Sequence, residues 1–309
     1  MIDITVLGTA ATMPLPDRAL ASVLLSCTGN SILFDCGEGT QTAARKAHVS
    51  LMKLSLIALT HYHGDHIFGL PGLLQTMACL GRREALYVCG PDGLHEALRA
   101  LLTLAGPLPF DIIALSIPDD GICLGSTIPG WPLEARLVPI KTKHRTVSSG
   151  YRFELSRPGR FNPEAAKALH VPVQKWSTLQ HGEDVELETG EIITPDSVLG
   201  PPRAGLCFCI SGDSAPCASL TEGASGADLF ICEATYGDED NAEQAALYGH
   251  STFSQAARTA AQAGAKRLLL THFSQMMEVP EDYLDAARAD FADAECAADG
   301  MKIRLCFED

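Results

Sequence analysis

Three imidazoles and a carboxylate fall within six residues in Thr60-His61-Tyr62-His63-Gly64-Asp65-His66, directly after the apolar run Leu54-Ser55-Leu56-Ile57-Ala58-Leu59. A short apolar run of that length reads as a buried strand. A strand ending in H-x-H-x-D-H delivers its ligands on a turn, where they can converge. His61 and His63 are two apart and share a face at the strand end. Gly64 permits the sharp turn that aims Asp65 and His66 at a neighbouring point. Imidazole and carboxylate without a nearby thiolate suit zinc, manganese or iron better than a soft metal. Two metal ions are the expected occupants. The plain alternative is a His-rich surface turn.

Four other strand ends repeat the pattern. Apolar runs ending at Ile140, Ile210, Cys232 and Leu270 lead into His144, Asp213, Glu233 and His272, as the run ending at Leu59 leads into His61. Ligands at one edge of stacked sheets can meet, and an aspartate such as Asp213 can give one oxygen to each of two metals. Further strands are expected at 2–6, 22–26, 31–34, 86–89, 112–117 and 303–307. Helices are expected at 42–48, from Pro71-Gly72 to about Leu80, at 94–104, from Gly249-His250-Ser251-Thr252 to about Ala263, and from Pro280. Strands alternating with helices predict an α/β fold.

Between Ser156 and Arg203 the periodicity weakens. Pro158, Pro163, Pro172, Pro195, Pro201 and Pro202 interrupt it, with one short helix expected at 163–169, so the stretch reads as an insertion.

The chain has 309 residues, 46% of them hydrophobic, enough for a substantial core. Met1 to Val6 starts as a strand rather than a charged leader, and no apolar run approaches bilayer length. The expected location is the cytoplasm, with no membrane partner. Eleven cysteines are scattered, with no C-x-x-C, and read as buried free thiols. The formal charge of −15 excludes a generic nucleic-acid binder. Residues 141–175 nonetheless carry eight of the 23 bases and two of the 38 acids, a local basic excess open to a polyanion.

H-x-H-x-D-H is the signature of the metallo-β-lactamase superfamily. The block Leu33-Phe34-Asp35-Cys36-Gly37-Glu38-Gly39-Thr40-Gln41, followed some 20 residues on by H-Y-H-G-D-H-I-F-G-L-P-G-L-L, narrows the likeness. Together they resemble the ribonuclease Z family, the tRNA 3′-processing endonucleases of that fold. The resemblance spans Gly8 to His272. It implies a four-layer αβ/βα sandwich as one domain, 1–309, with a flexible arm inserted at about 156–203 to grip tRNA. It also implies that His61, His63 and His144 bind one metal, that Asp65, His66 and His272 bind the other, and that Asp213 bridges. The metals implied are two zinc ions per subunit, with manganese the other possibility.

In the resembled pattern the Gly249-His250-Ser251-Thr252 histidine assists the leaving 3′ oxygen, Glu233 holds His250, and Asp65 orients or deprotonates the attacking water. The substrate implied is precursor tRNA, cut to leave a 3′-hydroxyl, and the assembly implied is a homodimer. Two departures stand out. The arm lacks a Gly-Pro step followed by lysines and is acidic from Glu183 to Glu191. No arginine follows His272 closely, which leaves Arg145 or Arg82-Arg83 to contact phosphate. The competing readings are a phosphodiesterase for small or cyclic nucleotide diesters and a non-catalytic scaffold. Seven intact ligand positions weigh against the scaffold.

Overall fold

The apolar runs form two seven-stranded sheets in the computed structural model, which describes residues 1–201 and 203–308. Pro202, one of the prolines of the irregular stretch, lies outside the described residues. The first sheet takes β1 (Ile2–Gly8), β2 (Ser22–Cys27), β3 (Asn30–Phe34), β4 (Leu54–Ala58), β5 (Leu86–Cys89) and β6 (Ile112–Leu115) in sequence order. The second takes β7 (Ile122–Cys123), β8 (Ala135–Lys141) and β9 (Ser149–Arg157). After the small hairpin β10 (Val185–Glu186) and β11 (Ile192–Ile193), it continues with β12 (Arg203–Ile210), β13 (Leu229–Glu233), β14 (Leu268–Thr271) and β15 (Ala294–Cys296). β16 (Lys302–Leu305) returns to the first sheet beside β1, with Ile2 opposite Leu305.

Strands β3 to β6 are parallel, as are β12 to β15. Both faces of these strands are covered, which is why they read as near-continuous apolar runs. Parity still sorts their side chains. Ile32, Phe34, Leu56 and Ala58 point between the sheets, where they meet Phe153, Phe208 and Ile231 from the other sheet. Leu33, Ile57 and Leu59 point the opposite way, onto helices Thr40–Lys46, Leu70–Cys79 and Leu94–Ala105. On the far side Cys209, Phe230, Cys232 and Leu270 meet helices Phe253–Ala263 and Leu284–Arg288. The result is the expected four-layer αβ/βα sandwich.

Several boundaries differ from expectation. Gly39, at φ 86, caps a helix that begins at Thr40 rather than Thr42, and His48 lies at φ 56 just beyond its end. The last strand is 302–305 instead of 303–307, and Pro280–Tyr283 is a 3-10 turn before the helix proper. The nine-residue β9, not among the expected strands, alternates buried Tyr151, Phe153 and Leu155 with Arg152, Glu154 and Ser156. The glycines after Asp35 serve the protein's own backbone. A Cβ on Gly37 would sit 2.4 Å from the Asp65 carbonyl oxygen, and one on Gly69 would sit 2.0 Å from that of Gly37. The Asp35 turn and the histidine turn are therefore pressed together.

Residues 158–201 leave and re-enter the second sheet between the paired strands β9 and β12. Gly159 meets Gly200 at the stem, where a Cβ would be 1.9 Å from the Gly200 carbonyl oxygen. Beyond the stem the segment carries a small core of its own, with Ala166, Val171, Leu179, Val185, Ile193 and Val198 buried beside Phe161 and Trp176. The basic excess of 141–175 is not one patch. Lys141 pairs with Asp119, Arg152 with Glu154 and Lys167 with Glu164, while Arg157 donates to the Glu308 carbonyl oxygen and Lys175 to that of Glu186.

Candidate metal centre

The ligand-type residues come from both sheets and meet at one edge. His61, His63, Asp65 and His66 follow β4, His144 follows β8, Asp213 follows β12 and His272 follows β14. The edges are stitched by Tyr151, whose hydroxyl donates to the Leu59 carbonyl oxygen at 2.7 Å, and by Ser149, whose N–H donates to that of Thr60 at 2.8 Å.

The seven expected ligands converge in two groups, and a third group joins Asp213 and His272 to His250. His61, His63, His144 and Asp213 offer donor atoms within 4.8 Å of one another, and so do Asp65, His66 and His272. Asp213 joins the groups, with Oδ2 3.7 Å from His61 Nε2 and 3.4 Å from His66 Nε2, and Oδ1 3.3 Å from His272 Nε2. Asp65 Oδ2 stands 3.7 Å from His66 Nε2 and 3.5 Å from His272 Nε2.

Donors sharing one four-coordinate ion at bonds of roughly 2.0–2.2 Å stand about 3.3–3.6 Å apart. The spacings here bracket that range.

The far side of four of the rings is held. His66 Nδ1 donates to Asp35 Oδ2 at 2.7 Å, and His144 Nδ1 donates to the Gly249 carbonyl oxygen at 2.8 Å. His61 Nδ1 meets Thr60 Oγ1 at 3.0 Å, and that hydroxyl donates to Asp35 Oδ2 at 2.8 Å. His272 Nδ1 meets Thr235 Oγ1 at 3.0 Å, and that hydroxyl donates to Glu233 Oε2 at 2.8 Å. Two threonines thus play the same part on opposite sides of the cluster, each passing a hydrogen bond from a ring to a buried carboxylate. With Nδ1 occupied, His61, His66, His144 and His272 turn Nε2 toward the cluster, the arrangement a metal ligand needs, while His63 faces it with Nδ1, 2.9 Å from His61 Nε2 and 3.3 Å from His144 Nε2.

The electrostatics also call for a cation. Asp213 is 3% exposed, and its Oδ1 is a buried oxygen without a hydrogen-bond partner. Burial alone would raise its pKa, but the charges of His272 and His66 hold it well below the usual carboxylate range. Burial likewise works against charge on His66, yet Asp213 and Asp35 push its pKa well above the ordinary imidazole value. His61, buried and crowded by other imidazoles, is lowered to about 2 and is neutral. Crowded ring nitrogens around an unpartnered, buried carboxylate oxygen fit a divalent metal, which would take the place of the proton on His66.

His250 stands beside this cluster, 4.0 Å from Asp213 Oδ2 through Nδ1. The same nitrogen donates to Glu233 Oε1 at 2.9 Å. Glu233 is fixed in turn by the N–H groups of Ser214 and Thr235. Burial would lower the His250 pKa, but the Glu233 charge and hydrogen bond outweigh it and raise it to about 9.

All seven expected ligands and both expected partners are brought together. Arg82 is not. It is buried, and its guanidinium donates to the carbonyl oxygens of Leu54, Glu84 and Ala85, so it braces β4 against β5 and faces no phosphate. Arg83 donates to the Arg82 carbonyl oxygen. Arg145 lines the cavity over the cluster.

Sequence reasoning missed Asp35, Thr60 and Thr235, which hold the rings. It also missed Thr12, whose N–H donates to Asp65 Oδ2 at 2.7 Å. Asp35 did carry a signal, a carboxylate directly after an apolar strand. Thr12 carried none.

The chain matches the Beta-lactamase superfamily domain over residues 30–273. It is 40% identical over 309 residues to a protein named Ribonuclease Z from Agathobacter rectalis, covering 100% of both chains. It is 39% identical over 310 residues to one of the same name from Lachnoclostridium phytofermentans, covering 100% of this chain and 99% of the other. Among solved structures it is similar to human tRNase Z, short form, with a TM-score of 0.69 and 27% identity over 99% of this chain and 100% of that one.

Proposed function

The chain belongs to the ribonuclease Z family, and from that premise we infer that it is a metal-dependent endoribonuclease that removes the 3′ trailer of precursor tRNA and leaves a 3′-hydroxyl. The observation that carries this reading is the meeting of seven ligand-type residues at one sheet edge in a chain alignable from end to end with proteins of that name. Diester chemistry on small or cyclic nucleotides is not favoured.

We assign two zinc ions to the cluster, one held by His61, His63 and His144 and the other by Asp65, His66 and His272, with Asp213 between them. Bound there, the metals would supply water acidified to near-neutral pKa and neutralise charge on the phosphodiester. The remaining work falls to side chains. Asp65, pinned by the Thr12 N–H, orients the attacking water and accepts its proton. His250, held by Glu233 through Nδ1, presents Nε2 to the cavity and gives a proton to the departing 3′ oxygen. The P–O3′ bond breaks as the water oxygen bonds to phosphorus, so the trailer leaves with a 5′-phosphate.

Residues 1–309 are read as one domain, with the insertion at 156–203 acting as the RNA-gripping arm. Its exposed Val173 and Ile192 support a contact role. The protein is proposed to work as a cytoplasmic homodimer. No helix among the described residues is long and apolar enough to cross a membrane.

The test compares a precursor tRNA carrying a 3′ trailer with bis(p-nitrophenyl) phosphate on one zinc-loaded preparation, with His66→Ala as control. Cleavage of the tRNA at the trailer junction supports processing. Turnover of the small diester alone would mean that the substrate is something else.

A further inference from the structure

We propose that Arg145 and Tyr248 form a clamp for a nucleobase flanking the scissile phosphate, Tyr248 giving the stacking face and Arg145 the charge. The proposal rests on the reading above that the substrate is RNA.

The cavity over the metal cluster encloses about 430 Å³, and Arg145 is the only Lys or Arg among the described residues that line it. It makes no ion pair among the described residues. Its guanidinium carbon lies 5.3 Å from the centroid of the Tyr248 ring. In a chain of net charge −15, with Asp65 and Asp213 on the cavity floor, an unpaired cation at the wall is where an incoming phosphate finds compensation. A planar guanidinium also stacks on aromatic faces, as an ammonium does not.

Backbone contacts place the two residues beside the cluster. Tyr248 ends helix Ala242–Tyr248, and Gly249, at φ 76, stops it. A Cβ on Gly249 would sit 2.9 Å from His144 Cα and 3.0 Å from Arg145 N, so only glycine lets the helix end press against residues 144–145. The His144 to Gly249 hydrogen bond closes the same contact. Tyr248 is 38% exposed, a large ring left partly open at the cavity wall. Gln244 lies one turn earlier on the same helix face and also lines the cavity, offering an amide to a base edge. Stacking accepts any base, which suits an enzyme that must take many RNAs.

The experiment is a cycle between protein and substrate. Precursor tRNA is prepared with natural bases and with an abasic residue on each side of the cleaved bond. kcat/KM is then measured for the zinc-loaded parent, Tyr248→Ala, Tyr248→Phe and Arg145→Lys, with metal content checked for each.

The expected result is a roughly tenfold loss for Tyr248→Ala on the natural precursor, with a smaller loss for Tyr248→Phe and a loss for Arg145→Lys despite its retained charge. At one flank, the abasic residue should cost the parent a similar factor and cost Tyr248→Ala nothing further. Losses that multiply at both flanks, or a Tyr248→Ala variant equal to the parent, would overturn the clamp while leaving the nuclease reading in place. No cleavage by the metal-loaded parent would remove the RNA reading itself and the clamp with it.

Discussion

Oε1 of Glu233 lies 2.9 Å from Nδ1 of His250, while Oε2 of the same carboxylate accepts from Thr235, the residue that backs His272. One buried carboxylate therefore serves both a ring assigned to metal and a ring assigned to proton donation.

That division predicts separable losses. His250→Ala should keep its metal content and lose about 10²- to 10⁴-fold in cleavage rate, the range of a positioned acid. Metal analysis and single-turnover rates on one preparation measure both. Parallel loss of metal would show that His250 is a ligand or a structural residue.

Replacing His66 or Asp213 with alanine should abolish turnover and lower metal content. Chelation of the parent should do the same reversibly, with a fall in Tm, because an ion that binds only the folded chain stabilises it. Full activity in either variant, or an unchanged Tm after chelation, would sink the dinuclear assignment.

Asp35→Asn removes the carboxylate that receives both His66 and Thr60 and keeps its shape. Metal affinity should fall by about 10- to 100-fold, and excess metal should restore activity. A variant with unchanged affinity would reduce Asp35 to a turn residue. Its φ of 59 argues for more, since a non-glycine residue held there is strained.

Arg82→Met should behave in the opposite way. The buried Leu54 carbonyl oxygen loses its donor, at a cost of about 1–3 kcal/mol if left unsatisfied, and the part-buried Glu84 and Ala85 carbonyls, which water can reach, lose theirs at less cost, while the metal cluster is untouched. Denaturant titration should show lower stability, and surviving folded protein should keep normal metal content. Loss of RNA cleavage without loss of stability would restore the phosphate-contact role.

Burial pushes the thiols of Cys36, Cys89 and Cys207 up to about 12. A raised thiol pKa means the reactive thiolate is absent until the pH approaches that value. Between pH 7 and 9 a thiol reagent should label the exposed Cys79 and Cys306 first and reach these three only on unfolding. Early labelling of Cys207 would show that β12 opens locally.

Much of the site was legible because its ligands obey a local rule, a polar side chain directly after an apolar run. That rule found His61, Asp213, Glu233 and His272. It would also have found Asp35, which was read only as part of the block Leu33 to Gln41. Thr12, which acts through its backbone N–H, and Thr235 could not be found this way, and Thr60, though it follows Leu59 directly, shows its part only once His61 and Asp35 meet at its hydroxyl.

Arg82 misled for a related reason. Its charge suggested the surface, and nothing local says that three carbonyl oxygens will surround it. The long β9 carried the plain signal of a half-buried strand, Tyr151, Phe153 and Leu155 alternating with Arg152, Glu154 and Ser156, and was passed over.

The closing of the first sheet by β16 against β1 sets a schedule for biosynthesis. Ile2, made long before Leu305, waits for it as its partner across the strand pair. His61 waits equally for His272. Domains tend to fold as units as they are made, but here neither the sheet nor the hydrolytic centre can be finished until the final strands are released. A nascent copy that has not yet released His272 therefore lacks part of one ligand group of its own hydrolytic centre.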